Sequence, residues 1–249
     1  MIKLSDYPTD APKGLDKDEI KDKTKDLADE IADLHEVMVA EKKHSLLVIF
    51  QGMDSSGKDG SSKNVFGECG PIGISVSSFK KPTELEFAHD FLWRIHKEVP
   101  QKGEIKIFNR SHYEDILIQR VHGWIDEERA EARIEAINAF EKLLVTDNKT
   151  TILKFYLHLS QERQREKLQE RLDEPKKNWK HNDNDWEEAK LWDQYRWAYE
   201  EAINRCNVVP WHIVPVDQRW YRNYHIAKIV LETMQKMNMR YPVLETQTT

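Results

Sequence analysis

The chain has 249 residues, a third of them charged (33%), and a formal net charge of −6, which suits one α/β domain carrying a modest insertion. Charges of both signs are interspersed, so the strongly basic footprint of a general nucleic-acid binder is excluded, and an anionic substrate has to meet a local basic surface. Cys69 and Cys206 lie far apart without CxxC spacing, the start lacks a signal-peptide pattern, and no apolar run approaches the roughly 18–20 residues of a bilayer span; a soluble, cytoplasmic protein with reduced thiols and no membrane contact is expected.

Residues 1–15 are polar and carry Pro8, Pro12 and Gly14, which predicts an extended arm. Over about 15–43 the residues Leu27, Ile31, Leu34, Val37 and Met38 recur at helical spacing, an amphipathic helix that covers its own sheet or serves an oligomer interface. "SLLVIF" reads as a buried parallel strand leading into the Gly52 loop, followed by a helix over 58–68. "ISVSSF" is a second strand, "TELEFAHDFLWRIHKEV" one helix with Leu85, Ala88, Leu92 and Ile95 on a face, and "EIKIFN" a third strand. A helix over about 126–145, the strand "TTILKFYLHL", a charged segment over 160–207, the strand "WHIVPV" and a helix near 221–237 complete the order. Such alternation predicts a doubly wound, mostly parallel α/β sheet with helices on both faces and ligands at the carboxyl ends of the strands. In domain terms, residues 1–44 are the arm and amphipathic helix, and 45–249 form one domain with a lid at about 160–190.

The stretch "VIFQGMDSSGKDGSSKNVF" carries Gly52-x-x-x-x-Gly57-Lys58, the P-loop spacing, between an apolar strand and a helix as the motif requires. Gly52, Gly57 and Gly60 let backbone N–H groups approach an anion, the helix points its positive end there, and Lys58 adds a mobile charge. Asp59 stands where Ser or Thr normally supplies a hydroxyl to magnesium. It is either a hard oxygen ligand or a helix N-terminal acid facing solvent, and Asp54, inside the loop, either does the same as a ligand or orients an acceptor oxygen. Two acids in a phosphate cradle imply a cation between them and a polyanion, so Mg²⁺ is expected, with Mn²⁺ as a substitute.

At the end of the third strand, where P-loop enzymes keep an Asp for magnesium, this chain has Asn109 followed by Arg110. Arg110 is placed to grip phosphoryl oxygens as a fork, and Glu114 or Asp115 supplies the missing acid. His89, His96, His112 and His122 close no ligand triad and read as core or surface residues rather than a zinc site. Between the fourth and fifth strands, Arg163, Arg165, Lys167, Arg171, Lys176, Lys177 and Lys180 concentrate positive charge, and Pro175 breaks the helix that bears them. Much of that segment is a solvated charged helix, and "RLDEPKKNWK" is a basic hairpin suited to close on phosphates. The Trp-rich run after it reads as helix core.

Taken together, "FQGMDSSGKDG", "SFKKPTELEFAHDFLWRIHKEVP", "IFNRSHYED", "RLDEPKKNWK", "LWDQYRWAYE" and "PWHIVPVDQRWYRN" resemble the polyphosphate kinase 2 family, from about residue 47 to 223. The resemblance implies a P-loop kinase-like phosphotransferase with a helical lid. It would move phosphate reversibly between inorganic polyphosphate and purine nucleotides (AMP/ADP or GMP/GDP) with Mg²⁺, and work as a homo-oligomer, a dimer or tetramer. By motif, Asp54 would bind metal and position the acceptor, Lys58 and Arg110 would hold the phosphates in flight, and Gly57, Asp59, Gly60, Lys63, Lys80 and Lys81 would bind the polyanion. Arg171, Lys177 and Lys180 would close over it from the lid, and Asn109, Glu114 and Arg120 would position the nucleotide. Many members of the family have Asp where Asn109 stands; "FNRSHYE" resembles the subgroup acting on both nucleoside mono- and diphosphates, with Glu114 as the substitute metal ligand. An ATP-dependent P-loop kinase and a non-catalytic polyanion- or nucleotide-binding module are the alternatives.

Overall fold

Strand β1 (Ser45–Gln51, SLLVIFQ) is buried at all seven positions, and a run apolar on both faces has to lie inside a sheet covered on both sides. The structure, a computed structural model, describes residues 1–243. In it β1 is the central strand, flanked by β3 (Ile105–Asn109) and β4 (Thr150–His158). Outside them lie β2 (Ile74–Ser78) and β5 (Trp211–Pro215), in the order β2-β3-β1-β4-β5 with every pairing parallel. The chain fills one side of β1 through β3 and then crosses to the other at β4. The carboxyl ends of β1, β3 and β4 therefore bound the switch-point crevice in which such sheets bind ligands.

Alternation along β1 sorts two cores. Leu46, Val48 and Phe50 pack with Ile31 and Met38 of α1 (Lys17–Glu41), Val65 of α2 (Lys58–Phe66) and Ile226, Val230 and Met234 of α10 (Arg219–Lys236). Leu47 and Ile49 face Ile134, Ile137 and Phe140 of α6 (Glu127–Thr146) and Tyr199 and Ile203 of α9 (Trp192–Arg205). The N-terminal helix thus covers its own sheet. Its buried Ile20, Thr24, Ala28, Ile31, His35 and Met38 keep the 3–4 residue period, and Asp16 caps it by accepting from Asp18 N and Glu19 N. The arm is docked: Leu4 is buried, and the Ile2 and Leu4 amides donate to Asn204 and Glu200 of α9.

The single helix expected across "TELEFAHDFLWRIHKEV" is instead two isolated turns, α3 (Glu84–Phe87) and α4 (Trp93–His96). Thr83 and Glu86 form a capping box at the start of the first. The Asp90 carboxylate then accepts from Leu92 N (3.0 Å), a local bond that competes with continuing the helix. Leu85 is consequently exposed while Ile95 is buried, so the face expected to unite them does not form. After β3 come a 3₁₀ turn (His112–Asp115) and α5 (Ile118–Val121). The insertion between β4 and β5 is α7 (Gln161–Asp173), a second 3₁₀ turn (Asn178–Lys180), α8 (Asn184–Lys190) and α9. Pro175 ends α7 as its ring and missing N–H require.

Candidate active site

The loop between β1 and α2 turns closely around the Arg222 guanidinium. Gly57 has φ +95°, and a Cβ there would come within 1.9 Å of Arg222 Nη1; at Gly60 it would meet Arg222 Nη2 at 3.0 Å. These glycines therefore make room for a buried guanidinium from α10 as well as for the turn. Lys58 folds back over the loop, donating to Gly52 O (2.8 Å) and Met53 O (3.2 Å). Burial and the neighbouring Arg110 charge lower its pKa, against Asp54, Glu114 and Asp59.

Arg110 sits at the tip of β3 with φ +59°, a conformation a non-glycine residue holds only where its surroundings over-determine it. Its amide donates to Phe50 O (3.1 Å), and its Nη2 donates to Asp54 Oδ1 (2.6 Å). Burial pushes the Asp54 carboxyl up, but Arg110 and Lys58 outweigh it and hold the group below the usual carboxylate range. Glu114 goes the other way: burial raises it despite the same two cations. Gln51, with its amide turned to satisfy both neighbours, donates to Glu114 Oε1 (2.9 Å) and accepts from Ser111 Oγ (3.0 Å). Asp115 is drawn aside, paired with Arg94 (3.4 Å) and accepting from Gln119 (2.6 Å), so of the two acids Glu114 alone stands with Arg110 and Lys58.

Asp59 accepts a hydrogen bond from Asn109 Nδ2. The usual hydroxyl-on-helix, acid-on-strand pair is thus replaced by acid on helix and amide on strand, which keeps one carboxylate between the two elements. Asn109 Oδ1 is buried and has no partner among the described residues.

A second cationic surface lies on the far side of the loop. Lys167 and Arg222 are buried, at 6% and 3% exposure. Lys167 reaches only Ser55 O (3.4 Å), and Arg222 donates to Asn223 Oδ1 and Ser56 O. Among the described residues neither has a carboxylate in ion-pair contact. Burial and the nearby Arg222, Arg163 and Arg219 pull Lys167 down to about 7, weakly offset by Asp217; burial and Arg219 bring Arg222 down to about 10. Sequence reasoning selected neither residue. The available signal was the spacing Arg163, Lys167, Arg171, one face of α7 at i, i+4, i+8.

The remaining selected residues divide. Arg171 donates to Ser55 Oγ (2.8 Å) and pairs with Asp185 of α8, which pins the insertion over the loop. Lys177 is held by Glu170 (2.8 Å) and Glu174 (2.7 Å), Lys180 lies over the exposed Trp179 ring, and Lys63 is exposed on α2. Arg120 bonds Glu127 (Nε 3.2 Å) and stacks on Trp197. Lys80 and Lys81 line a cleft of ≈ 900 Å³ whose walls include Phe87, Phe91 and Trp124. A smaller cavity of ≈ 150 Å³ opens between the loop and the insertion, and Gln164, whose buried Oε1 has no partner among the described residues, lines it. Arg110, Glu114 and Ile118 belong to both cavities, so the two meet at the P-loop edge.

A family model described as polyphosphate kinase 2 matches residues 14–242. The AMP/ADP-polyphosphate phosphotransferase of Meiothermus ruber is 47% identical over 215 residues, covering 86% of this chain and 80% of that protein. The ADP-polyphosphate phosphotransferase of Rhodopseudomonas palustris is 36% identical, with 97% of this chain and 88% of the relative covered. Among solved structures, polyphosphate kinase 2 from Arthrobacter aurescens TC1 superimposes with a TM-score of 0.95 at 36% identity, over 99% of this chain and 90% of that one.

Proposed function

The chain belongs to the polyphosphate kinase 2 family, and on that premise we propose how this polyphosphate-dependent nucleotide phosphotransferase works: the P-loop seats the reacting phosphate between a polyphosphate donor and a nucleotide acceptor. The observation that carries the reading is the pair of buried cations, Lys167 and Arg222, left without a carboxylate at a phosphate-binding loop. A buried unpaired charge is costly, and a polyanion laid across the loop offsets that cost. The donor accordingly lies on the α7–α10 side, against Lys167, Arg222 and Arg171. The acceptor occupies the aromatic-walled cleft lined by Lys80 and Lys81, a lining suited to a flat base with a charged tail. The reading extends to purine nucleoside mono- and diphosphates, in line with the AMP/ADP specificity named for the Meiothermus ruber relative.

A divalent cation, Mg²⁺ first and Mn²⁺ as substitute, fits the residues present. Asp54 and Glu114 offer two carboxylates beside the loop, and Asn109 Oδ1 is a buried acceptor without a partner among the described residues. Among the described residues no group of three or more acids, histidines or cysteines forms a cage. That matches a cation held by one or two carboxylates together with substrate phosphates. When bound, it neutralises charge on the phosphate oxygens. The chain's own residues do the rest. Lys58 and Arg110 grip the transferring group from opposite sides, the Asp54 contact aims the Arg110 fork, and the insertion held by Arg171 excludes water. An acceptor phosphate oxygen is already ionised, so in-line attack needs no strong base.

Among the described residues no helix is long and apolar enough to cross a membrane; the reading includes a cytoplasmic protein. It also includes a homo-oligomer, a dimer or tetramer, for which Ile72 and Val76, exposed at the free β2 edge, offer apolar surface. Purified protein given ADP and polyphosphate is expected to form ATP when Mg²⁺ is present and not when it is chelated. Transfer only from ATP would replace the reading with an ATP-dependent kinase, and binding without turnover with a non-catalytic module.

A further inference from the structure

Four ionisable side chains that touch neither cavity are completely buried behind the site. Lys154, in the middle of β4, His112 and Tyr113 of the turn after β3, and Glu141 of α6 all have 0% exposure. Lys154 Nζ donates to Glu141 Oε2 (2.7 Å), Tyr113 Oη (2.8 Å) and Cys206 O (2.9 Å), which satisfies all three of its N–H bonds. Tyr113 Oη in turn donates to Glu141 Oε1 (2.6 Å), closing a triangle of phenol, carboxylate and ammonium. His112 stands 3.5 Å from the same carboxylate. Trp211 roofs the cluster, its ring 4.7 Å from Tyr113 and its Nε1 donating to Cys206 O (3.0 Å).

Apolar residues of like volume would usually serve stability at such a site as well or better, so a buried ion pair calls for another use. Its members show one. Tyr113 directly precedes Glu114 in the turn and lies three residues after Arg110 at the tip of β3, so it is linked through the chain to both groups at the meeting point of the two cavities. That turn packs in the core through Tyr113 beside Ile116 and Leu117, and Arg133 Nη1 of α6 donates to Asp115 O (2.7 Å). The turn's backbone is held by Glu114 N on Ser111 O (3.0 Å), Leu117 N on Tyr113 O (3.0 Å) and the Gln51 contacts. The triangle fixes the Tyr113 ring through two directional bonds to α6 and β4, where an apolar wall would let it slide. A slide of Tyr113 carries Glu114 with it, and displacements near 1 Å cost about a hundredfold in well-oriented reactions.

We propose that the Tyr113–Glu141–Lys154 triangle is a positioning network that holds Glu114 and Arg110 in register with the P-loop. The inference rests on the phosphotransfer reading above. Wild-type turnover of ADP with polyphosphate tests that reading, and the ratio of variant to wild type tests the network alone. The triple variant Tyr113→Phe/Glu141→Leu/Lys154→Met removes the three members of the triangle while keeping volume, and leaves His112 in place. Cys206 O keeps its Trp211 donor, so that acceptor is not stranded. This variant is expected to fold with a Tm at or above wild type, to lose about tenfold or more in kcat, and to keep both substrate KM values within about twofold. Tyr113→Phe alone, which leaves the ion pair intact, is expected to lose about fivefold in kcat with unchanged KM. A folded triple variant with wild-type kcat overturns the proposal. So does a triple variant that fails to fold while Tyr113→Phe turns over at the wild-type rate, because the network then serves the fold only.

Discussion

Lys154 and Lys167 are both buried, and they differ in what meets the ammonium. Lys154 has an acid, a phenol and a carbonyl within 2.9 Å and completes its own charge balance inside the fold. Lys167 has one carbonyl at 3.4 Å, with Arg222, Arg163 and Arg219 around it. The first arrangement is finished by the chain; on the proposed function, the second is finished by the polyphosphate donor. Burial alone therefore does not tell structural from functional charge in this protein, whereas the state of pairing does.

The same substitution at the two sites is the sharpest way to break this contrast. Lys154→Met leaves the buried Glu141 carboxylate without its ammonium partner, with Tyr113 Oη still donating to it, and is expected to destabilise by about 3–5 kcal/mol. Lys167→Met removes an uncompensated cation and is expected to leave the free protein as stable or more so, while raising the polyphosphate KM about tenfold and sparing the nucleotide KM. Thermal denaturation and two-substrate kinetics read both outcomes. Equal destabilisation by the two changes would erase the distinction.

A smaller effect reads Lys167 through pH. With a pKa of about 7 in the folded protein and about 10.4 unfolded, Lys167 binds fewer protons folded than unfolded between those values. The stability of the free protein therefore rises with pH from about 7 to about 10, and this component is absent from Lys167→Met. Polyphosphate affinity runs the opposite way, because it needs the ammonium charged and weakens as pH climbs through about 7. The difference in Tm between wild type and Lys167→Met, measured across that range, isolates the group from the other titrations. A flat difference would mean that Lys167 keeps its proton without a ligand.

Much of this was legible in advance where sequence and local physics agree. The strand–loop–helix around "QGMDSSGKDG" announces the phosphate cradle, and five apolar runs place the sheet. The break within "TELEFAHDFLWRIHKEV" was not legible, because the helical period survives in the residue types while the Asp90 side chain diverts the backbone. Lys167 and Arg222 were hidden differently. In sequence one is lost in a charged run and the other lies 165 residues from Gly57, and only the fold reveals that they share the loop and lack acids. Tyr113 and Lys154 were silent for the same reason: a lysine in an apolar strand gives no sign of which acid will meet it.

The insertion offers the finest version of the contrast, within one basic hairpin. Arg171, partly buried, touches Ser55 of the loop, whereas Lys177 already has Glu170 and Glu174 and Lys180 rests on Trp179. If pairing decides function, Arg171→Ala should raise the polyphosphate KM about tenfold, in line with a lost charge-assisted bond. Lys177→Ala with Lys180→Ala should raise it by less than about threefold, because lysines that are exposed or already paired at the surface contribute little net energy. Titrating KM against salt checks this independently. The Arg171 variant should show the shallower dependence, since it removes a phosphate contact, and the double variant should keep a slope near wild type. Should the double variant prove the more damaging, Lys177 must leave Glu170 and Glu174 for the polyanion when the insertion closes, and a surface ion pair would then be the resting state of a binding residue.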